Sequence, residues 1–242
     1  RLAPLTIFPN DSFRHASFSD HIDGGNSSID EFSSTGSSII MKYTLREGYK
    51  IPYAGLQITS GEFINLKKYD SVKIKISSNK SEKLRFILIS FINNFSISSK
   101  PLSSMYLIKE IIVTKEIKSF DISLSEFRVE KWWYEVNELN PFDKSIKPDF
   151  ESISAVNIEN AECFGFNIQD EVKIDEITFY KSGKRKWFIF AVLTMLYLIL
   201  TYIFRKNIFS SKQETLFYDY KKIEFKNNIS TDHETILRII SE

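Results

Sequence analysis

Val72-Lys73-Ile74-Lys75-Ile76 alternates apolar and basic side chains, and the segment from Ile39 to Leu45 places four apolar residues on one parity in the same way. A period of two is typical of β-strands with one buried face, because successive side chains point to opposite sides. In Leu84-Arg85-Phe86-Ile87-Leu88-Ile89, both parities are mainly apolar. This pattern predicts a central strand that is covered on both faces.

Further strands are predicted at intervals through residues 1–182. Turn composition separates them, as in Asp23-Gly24-Gly25-Asn26 and Ser77-Ser78-Asn79-Lys80-Ser81. Many short strands between turns, with no helix longer than about two turns, predict an all-β fold of the sandwich or jelly-roll type. The strands are expected around Tyr53–Thr59, Met105–Lys115, Ile117–Ile122, Ile153–Glu159, Phe164–Ile168 and Val172–Tyr180.

Several of these segments resemble a known fold family. They are Tyr53-Ala54-Gly55-Leu56-Gln57-Ile58, Leu66–Ile74, Phe120–Phe127, Trp132-Trp133 and Ile174–Phe179. Over residues 15–180 the chain resembles galactose-binding-like jelly rolls, and it is similar to carbohydrate-binding modules and to the complex I intermediate-associated protein domain. The resemblance implies a jelly-roll β-sandwich over residues 1–182 that meets its ligand outside the cell.

Trp132, Trp133 and Tyr134 are the strongest candidates for contact with a ligand, and Tyr53 and Tyr106 are weaker ones. Sugars present flat C–H faces on which aromatic rings stack, while nearby polar groups bind the hydroxyls. On a strand, Trp132 and Tyr134 would share one face and Trp133 would take the other. Because large aromatic side chains are mostly buried for packing, we expect at least one of the three to lie in the core.

The candidate ligands for a structural calcium ion are four carboxylates: Asp20, Asp23, Asp175 and Glu176. The resemblance implies such an ion between an early loop and the last strand, and calcium takes roughly six to eight oxygen ligands. An alternative is structural, since Asp23 opens a turn with Gly24. The apolar parity of the last predicted strand also switches at Asp175 and Glu176, which predicts a β-bulge there.

No motif in the sequence supports catalysis. G-x-S-x-G, H-E-x-x-H and a phosphate-cradling glycine loop are absent. Three glutamates near the tryptophans, Glu126, Glu130 and Glu135, are interpreted as solvated residues, although a carboxylate pair could also serve a glycosidase. A net charge of +1 gives no global field for nucleic acid, and the single cysteine, Cys163, excludes a disulfide framework. We therefore expect a binding protein, and a secreted domain without disulfides favours a bacterial source.

Residues 187–204, WFIFAVLTMLYLILTYIF, form an uncharged run of 18 residues. As a helix this run would be about 27 Å long, close to the thickness of a bilayer's hydrocarbon core. Lys184-Arg185-Lys186 precede it and Arg205-Lys206 follow it, as expected at the two membrane surfaces. A buried core helix rarely lacks charge over this length. The run therefore predicts one transmembrane helix.

Residues 205–242 are predicted to be a cytoplasmic juxtamembrane segment and the start of an output domain. Thr231-Asp232-His233-Glu234 matches a capping box, and apolar residues follow at helical spacing from Ile236 to Ile240. This order resembles the entry to an AraC-type helix-turn-helix domain in membrane-anchored bacterial regulators. The resemblance implies DNA binding by a recognition helix beyond Glu242, so we expect the chain to continue. Alternatively, the lysine-rich stretch is only a solvated juxtamembrane segment.

Together these patterns predict a single-pass sensor in the bacterial cytoplasmic membrane. Basic residues lie on both sides of the predicted span and do not decide its orientation, so the jelly roll is placed outside by analogy with its fold family. It would bind a carbohydrate or another small ligand and signal to a DNA-binding domain, for example by favouring a homodimer. A tethered carbohydrate-binding or scaffold module, the receptor half of a kinase, and an enzyme in the sandwich remain alternatives.

Overall fold

The computed structural model describes residues 2–141, 147–183 and 190–205, and strands dominate the part up to residue 182. The helices there are short: α1 spans Lys131–Val136, and 3₁₀ turns span Asp20–Asp23, Pro101–Ser103 and Leu124–Glu126. The β-strands are β1 (Leu5–Phe8), β2 (Arg14–Ser19), β3 (Ser28–Ser34), β4 (Ile39–Thr44), β5 (Ala54–Thr59), β6 (Ser71–Ser78), β7 (Lys83–Ser90), β8 (Met105–Ile112), β9 (Lys118–Ser123), β10 (Arg128–Val129), β11 (Ile153–Asn160) and β12 (Gln169–Tyr180).

The strands pair into two six-stranded antiparallel sheets, which confirms the predicted all-β jelly-roll sandwich. Sheet A has the order β3-β4-β12-β6-β9, with β1 also paired to β12. Sheet B has the order β10-β8-β7-β11-β5-β2. Most neighbours in each sheet are distant in sequence, as in β12 beside β6 and β11 beside β7. Such crossovers between the two sheets are characteristic of Greek-key and jelly-roll sandwiches.

The main core lies between the two sheets and is built by the predicted alternation. On sheet A, Val72, Ile74 and Ile76 of β6 are fully buried. On sheet B, Leu84, Phe86 and Leu88 of β7 point into the same core cluster. The opposite parity of β7 carries Ile87 and Ile89, which belong to a second apolar cluster outside the main core. The central strand predicted at residues 84–89 is therefore confirmed, because β7 lies between β8 and β11 and side chains of both parities are buried.

The predicted bulge in the last strand is also present. The register of β12 against β6 shifts between Ile174 and Glu176, so that both Ile174 and Ile177 reach the core. An extra residue in one strand moves the side chains that follow it to the other face. This explains why the apolar parity of β12 changes along the strand.

The predicted strand at Phe164–Ile168 is wrong, because this segment is a loop with a turn. Gly165 has φ 140° and Asn167 has φ 57°, and such positive values do not occur in extended strands. Four strands that the sequence did not predict are also present: β1, β2, β3 and the two-residue β10. Strands β2 and β3 each lie at the edge of a sheet.

Residues 183–242 form a separate unit, of which residues 190–205 are described. Residues 190–205 are helical, and their large apolar side chains are exposed, among them Phe190, Leu196 and Leu198. Within the described residues, no helix combines the length and the apolar character that a membrane crossing needs. The first three residues of the predicted span, the capping box at Thr231 and the segment after Arg205 lie outside the described residues.

Candidate functional site

The aromatic trio Trp132-Trp133-Tyr134 lies on the short helix α1, and the strand arrangement considered for it above does not apply. The helix forms locally, since the backbone N–H of Trp133 donates to Glu130 O at 3.1 Å and that of Asn137 donates to Trp133 O at 3.2 Å. The Asn137 side chain also donates to Trp133 O at 2.8 Å and caps the helix end. Consecutive side chains on a helix point about 100° apart, so the three rings have three different environments.

Trp133 is fully buried in the main core. Its indole Nε1 donates a hydrogen bond of 2.6 Å to Ser104 O, and its ring centroid lies 5.8 Å from that of Phe95. The half-buried ring of Tyr134 packs edge-on against Trp133 at 5.3 Å. The expectation that one of the three lies in the core is confirmed. The predicted ligand contact by Trp133 does not fit this position, because its ring and its one donor are already engaged.

Trp132 is half-buried and meets Tyr106 of β8, another residue predicted for ligand contact. Their rings are 5.3 Å apart in an edge-to-face arrangement, which is a favourable geometry for aromatic pairs. Tyr106 faces Ile89 of β7 in register, on the parity that points away from the main core. The pair therefore lies at one corner of the outer face of sheet B.

The outward residues of β5, β7, β8 and β11 are neighbours on sheet B, and we call this group of side chains the platform. Its floor is the second apolar cluster of Ile87, Ile89, Ile108 and Ala155, against which Tyr106 packs. The strand register determines which polar residues lie beside this floor. Asn157 of β11 is in register with Ile87 of β7 on one side and with Gln57 of β5 on the other. The platform thus combines an apolar floor with polar groups from the adjacent strands β11 and β5.

A charged group lies in the next row of the platform. Glu159 of β11 is in register with Arg85 of β7, which is in turn in register with Glu110 of β8. Arg85 Nη1 is 3.7 Å from the Glu159 carboxylate, and Arg85 Nε is 4.0 Å from that of Glu110. Both contacts are ion pairs, and the distances between their atoms are longer than those of hydrogen bonds. The Arg85 guanidinium therefore lies between two carboxylates, those of Glu159 and Glu110, and both contacts exceed hydrogen-bond distance.

Two polar atoms of the platform are buried without any hydrogen-bond partner: Arg85 Nε and Asn157 Oδ1. Asn157 as a whole is only 6% exposed. Leaving a buried polar group unpaired costs about 1–3 kcal/mol, so such groups call for an explanation. A donor and an acceptor left open on neighbouring strands of one surface are what a bound polar molecule would satisfy.

Two ionisable side chains of the platform, Glu159 and Tyr106, have raised pKa values. Burial raises the pKa of the Glu159 carboxyl to about 7, although the Arg85 guanidinium opposes the shift. Burial also raises the pKa of the Tyr106 hydroxyl, and the negative charges of Glu159 and Asp23 add to that shift. Both shifts have burial as their largest cause, so the two groups have lost much of their contact with water.

Tyr53, which precedes β5, lines the opposite corner of the platform. Its hydroxyl donates a hydrogen bond of 2.5 Å to Asp23 Oδ2. The rings of Tyr49 and Phe18 lie 5.9 Å and 6.1 Å from the Tyr53 ring, so aromatic side chains cluster there. Burial raises the pKa of Tyr53, and the hydrogen bond to Asp23 raises it further. The platform is thus bordered by aromatic rings at two corners.

The first pair of carboxylates predicted to bind calcium has other partners. Asp20 is fully buried, and its two oxygens accept hydrogen bonds from the backbone N–H and the hydroxyl of Ser27, at 2.9 Å and 2.8 Å. Asp23 accepts the Tyr53 hydroxyl. Both lie in the 3₁₀ turn that ends at Gly24 with φ 86°, as the alternative structural interpretation predicted.

The second pair lies on β12 in sheet A and is engaged by lysines. Asp175 is 3.4 Å from the ammonium of Lys173, and Glu176 is 2.8 Å from that of Lys73 and 2.9 Å from that of Lys75. Two ammonium groups beside Glu176 oppose a bound cation. In the described parts of the chain, no group of three or more His, Cys, Asp or Glu side chains could hold a metal ion. The calcium prediction therefore has no ligand set among the described residues.

The sequence did not single out Arg85, Asn157 or Glu159. A signal was present, because each of them interrupts a strongly apolar strand: Arg85 in LRFILI, and Asn157 and Glu159 in ISAVNIE. Polar residues in a strand covered on both faces are uncommon and are candidates for function. What the sequence lacks is the register that places the three side chains on neighbouring strands.

Comparison with known proteins identifies the fold. No protein-family model and no curated protein matches the chain. The solution structure of CtCBM11 matches with 17% identity and a TM-score of 0.51 over 74% of this chain and 95% of that chain. A family 11 carbohydrate-binding module from Clostridium thermocellum in complex with a beta-1,3-1,4-mixed-linked tetrasaccharide gives 18% identity and a TM-score of 0.49, over 74% of this chain and 94% of its own. The sandwich is thus a jelly roll of the type found in carbohydrate-binding modules.

Proposed function

We propose that the platform of sheet B binds a glycan. The observation that carries the proposal is the combination of aromatic rings at two corners with an unpaired donor and an unpaired acceptor between them. Sugars need both features, because their C–H faces pack on rings and their hydroxyls each donate and accept hydrogen bonds. The likeness in fold to a carbohydrate-binding module supports a glycan over other small polar ligands.

Binding is expected to depend on Tyr106 and Tyr53. In the full chain in detergent micelles, Tyr106→Ala or Tyr53→Ala should weaken the affinity for the glycan about tenfold, since a buried aromatic contact is worth about 1–2 kcal/mol. The measurement is isothermal titration calorimetry with oligosaccharides of mixed-linked β-1,3-1,4-glucan, xylan, agarose and mannan.

The matched control for these variants is Tyr180→Ala. Tyr180 belongs to sheet A, where its hydroxyl donates to Asp121 at 2.8 Å. Its loss should leave glycan affinity within about twofold of the wild type. If none of the four glycan classes binds the wild-type protein, or if all three variants lose affinity equally, the platform is not the glycan site.

We further propose that residues 187–204 anchor the chain in the bacterial cytoplasmic membrane, with the jelly roll outside the cytoplasm. The helical conformation of residues 190–205 and their exposed apolar side chains support this proposal. The output would be DNA binding in the cytoplasm, controlled by glycan binding or by ligand-dependent dimerisation. The alternative is a tethered glycan-binding or scaffold module, for which adding glycan would change no transcript.

Membrane attachment is expected to fail when charges enter the apolar run. An arginine near the centre of a membrane helix costs about 2.5–3.5 kcal/mol, so Leu196→Arg with Leu198→Arg should move the protein from the carbonate-washed membrane pellet to the supernatant. The control is Ile112→Arg, which places one arginine at an exposed apolar position of β8, outside the apolar run. Wild-type protein that stays in the supernatant would contradict the anchor.

A further inference from the structure

Glu159 lies in an unusually crowded part of the platform. Its strand neighbours in register are Arg85 on β7 and Gly55 on β5. Because Gly55 has no side chain, the ring of Phe18 and the Glu159 side chain pack directly over it, and a Cβ there would lie 2.6 Å from Phe18 Cζ and 2.9 Å from Glu159 Cβ. This packing leaves the Glu159 side chain 15% exposed. A carboxyl group in this position has lost most of its contact with water.

The positive charge near Glu159 offsets the effect of burial on its pKa only in part. Arg85, the nearest cation, lies beyond hydrogen-bond distance and is shared with Glu110 of β8. Lys83, one row further along β7, lies 3.9 Å from Glu162. Other titratable groups near this part of the platform are acidic or neutral. Among the described residues they include Asp23 of the 3₁₀ turn, Tyr49 and Tyr53 before β5, and Tyr106 of β8.

We propose, on the basis of the glycan-binding function above, that Glu159 is a specificity-determining residue that binds the glycan as a neutral carboxylic acid. In this form its O–H donates a hydrogen bond to an oxygen of the sugar, which a carboxylate could not do. Glycan binding is thereby coupled to the uptake of a proton. The ligand class is a neutral sugar with an acceptor oxygen above Glu159 and a hydroxyl that reaches Asn157.

The neighbouring groups complete this recognition. Asn157 Oδ1 is a buried acceptor without a partner, and Arg85 Nε is a buried donor without a partner. A sugar hydroxyl can donate to the first while another oxygen accepts from the second. An ionised Glu159 would instead draw Arg85 towards itself and repel the lone pairs of the sugar. Burial raises the pKa of Glu159 to about 7, so the neutral form is accessible near neutral pH.

The test is calorimetric titration of the full chain at pH 6 and pH 8 with the glycan oligosaccharides named above. If only the protonated form binds, a group with a pKa near 7 gives an affinity about tenfold weaker at pH 8 than at pH 6. Titration at pH 7 in two buffers of different ionisation enthalpy should show uptake of about half a proton per ligand. Glu159→Gln should abolish both effects, because the amide is always neutral and still offers a donor.

The control is Glu31→Gln, the same substitution at an exposed glutamate on sheet A, which should keep the tenfold pH dependence. A wild-type affinity that is equal at both pH values, or a pH dependence that persists in Glu159→Gln, overturns the role of Glu159 alone. No binding to any of the glycans at either pH overturns the glycan function itself. If Glu159→Gln does not fold, a ¹³C titration of the wild-type carboxyl decides, and a pKa below about 5 refutes the proposal.

Discussion

Replacing Trp133 with alanine is expected to lower the free energy of unfolding of the sandwich by about 3–5 kcal/mol. The side chain is fully buried, and its removal leaves a cavity between the rings of Phe95 and Tyr134. It also leaves Ser104 O without the indole donor that lies 2.6 Å away. The large cavity and the unpaired carbonyl both lower the free energy of unfolding. Urea unfolding of the full chain in detergent micelles, followed by far-UV circular dichroism, measures the change.

Trp132→Ala is the matched control, since it makes the same substitution at the adjacent residue of α1. Trp132 is only half-buried and packs on Tyr106 at the edge of the platform. We expect it to lower the free energy of unfolding by about 1 kcal/mol and to weaken glycan binding. If the two variants lose the same stability, then it is wrong that Trp133 is a core residue while Trp132 is a residue of the ligand surface.

The contrast between these two tryptophans could not be predicted from the sequence. Trp and Tyr favour strands, and on a strand Trp132 and Tyr134 would share a face. The structure instead forms one short helix, and the buried Trp133 fixes it by packing and by its bond to Ser104. A long-range contact between residues 104 and 133 overrides local propensity, and such contacts are not visible in one sequence.

The strands were predicted well where one face is buried and poorly where the strand lies at an edge. Strand β6 alternates clearly because its inward side chains enter the core. Strand β3, with the sequence SIDEFSS, has no fully buried residue and pairs on one side only. Edge strands are commonly polar, which limits aggregation but also removes the periodic signal. For the same reason β2 was not predicted.

The platform could be predicted in part. The sequence identified Tyr53, Tyr106 and Trp132, all of which border it. It could not show that Arg85 and Glu159 are neighbours, because their pairing depends on the order of β7 and β11 in sheet B. Unpaired polar atoms are likewise a property of the assembled sheet and not of any one strand.

Asp170 is a second residue whose importance appears only in the structure. At the start of β12 it resembles an ordinary turn aspartate, yet it is 1% exposed. Its carboxylate accepts hydrogen bonds from the hydroxyls of Tyr43, Ser78 and Ser81, at 3.1 Å, 2.8 Å and 2.7 Å. It also accepts the backbone N–H groups of Lys80 and Ser81, at 2.8 Å and 3.0 Å. One side chain therefore joins β4, β12 and the β6–β7 turn.

Asp170→Ala is expected to lower the free energy of unfolding by about 3–5 kcal/mol, because several buried donors lose their acceptor together. Removal of a buried acceptor carries the full desolvation penalty of each donor that finds no new partner. Urea unfolding at pH 7 measures the loss. Asp170→Asn should be intermediate, because the amide keeps one acceptor oxygen but presents its NH₂ group to donors.

The control for Asp170 is Asp30→Ala on β3. Asp30 also accepts three side-chain hydrogen bonds, from Thr44 at 2.6 Å, Ser28 at 2.8 Å and Gln169 at 2.9 Å, but it is exposed. Water can replace this carboxylate as the acceptor, so we expect a loss of about 1 kcal/mol or less. The two aspartates differ mainly in burial. If both variants lose the same stability, then the number of hydrogen bonds, and not their isolation from water, determines what the Asp170 network contributes.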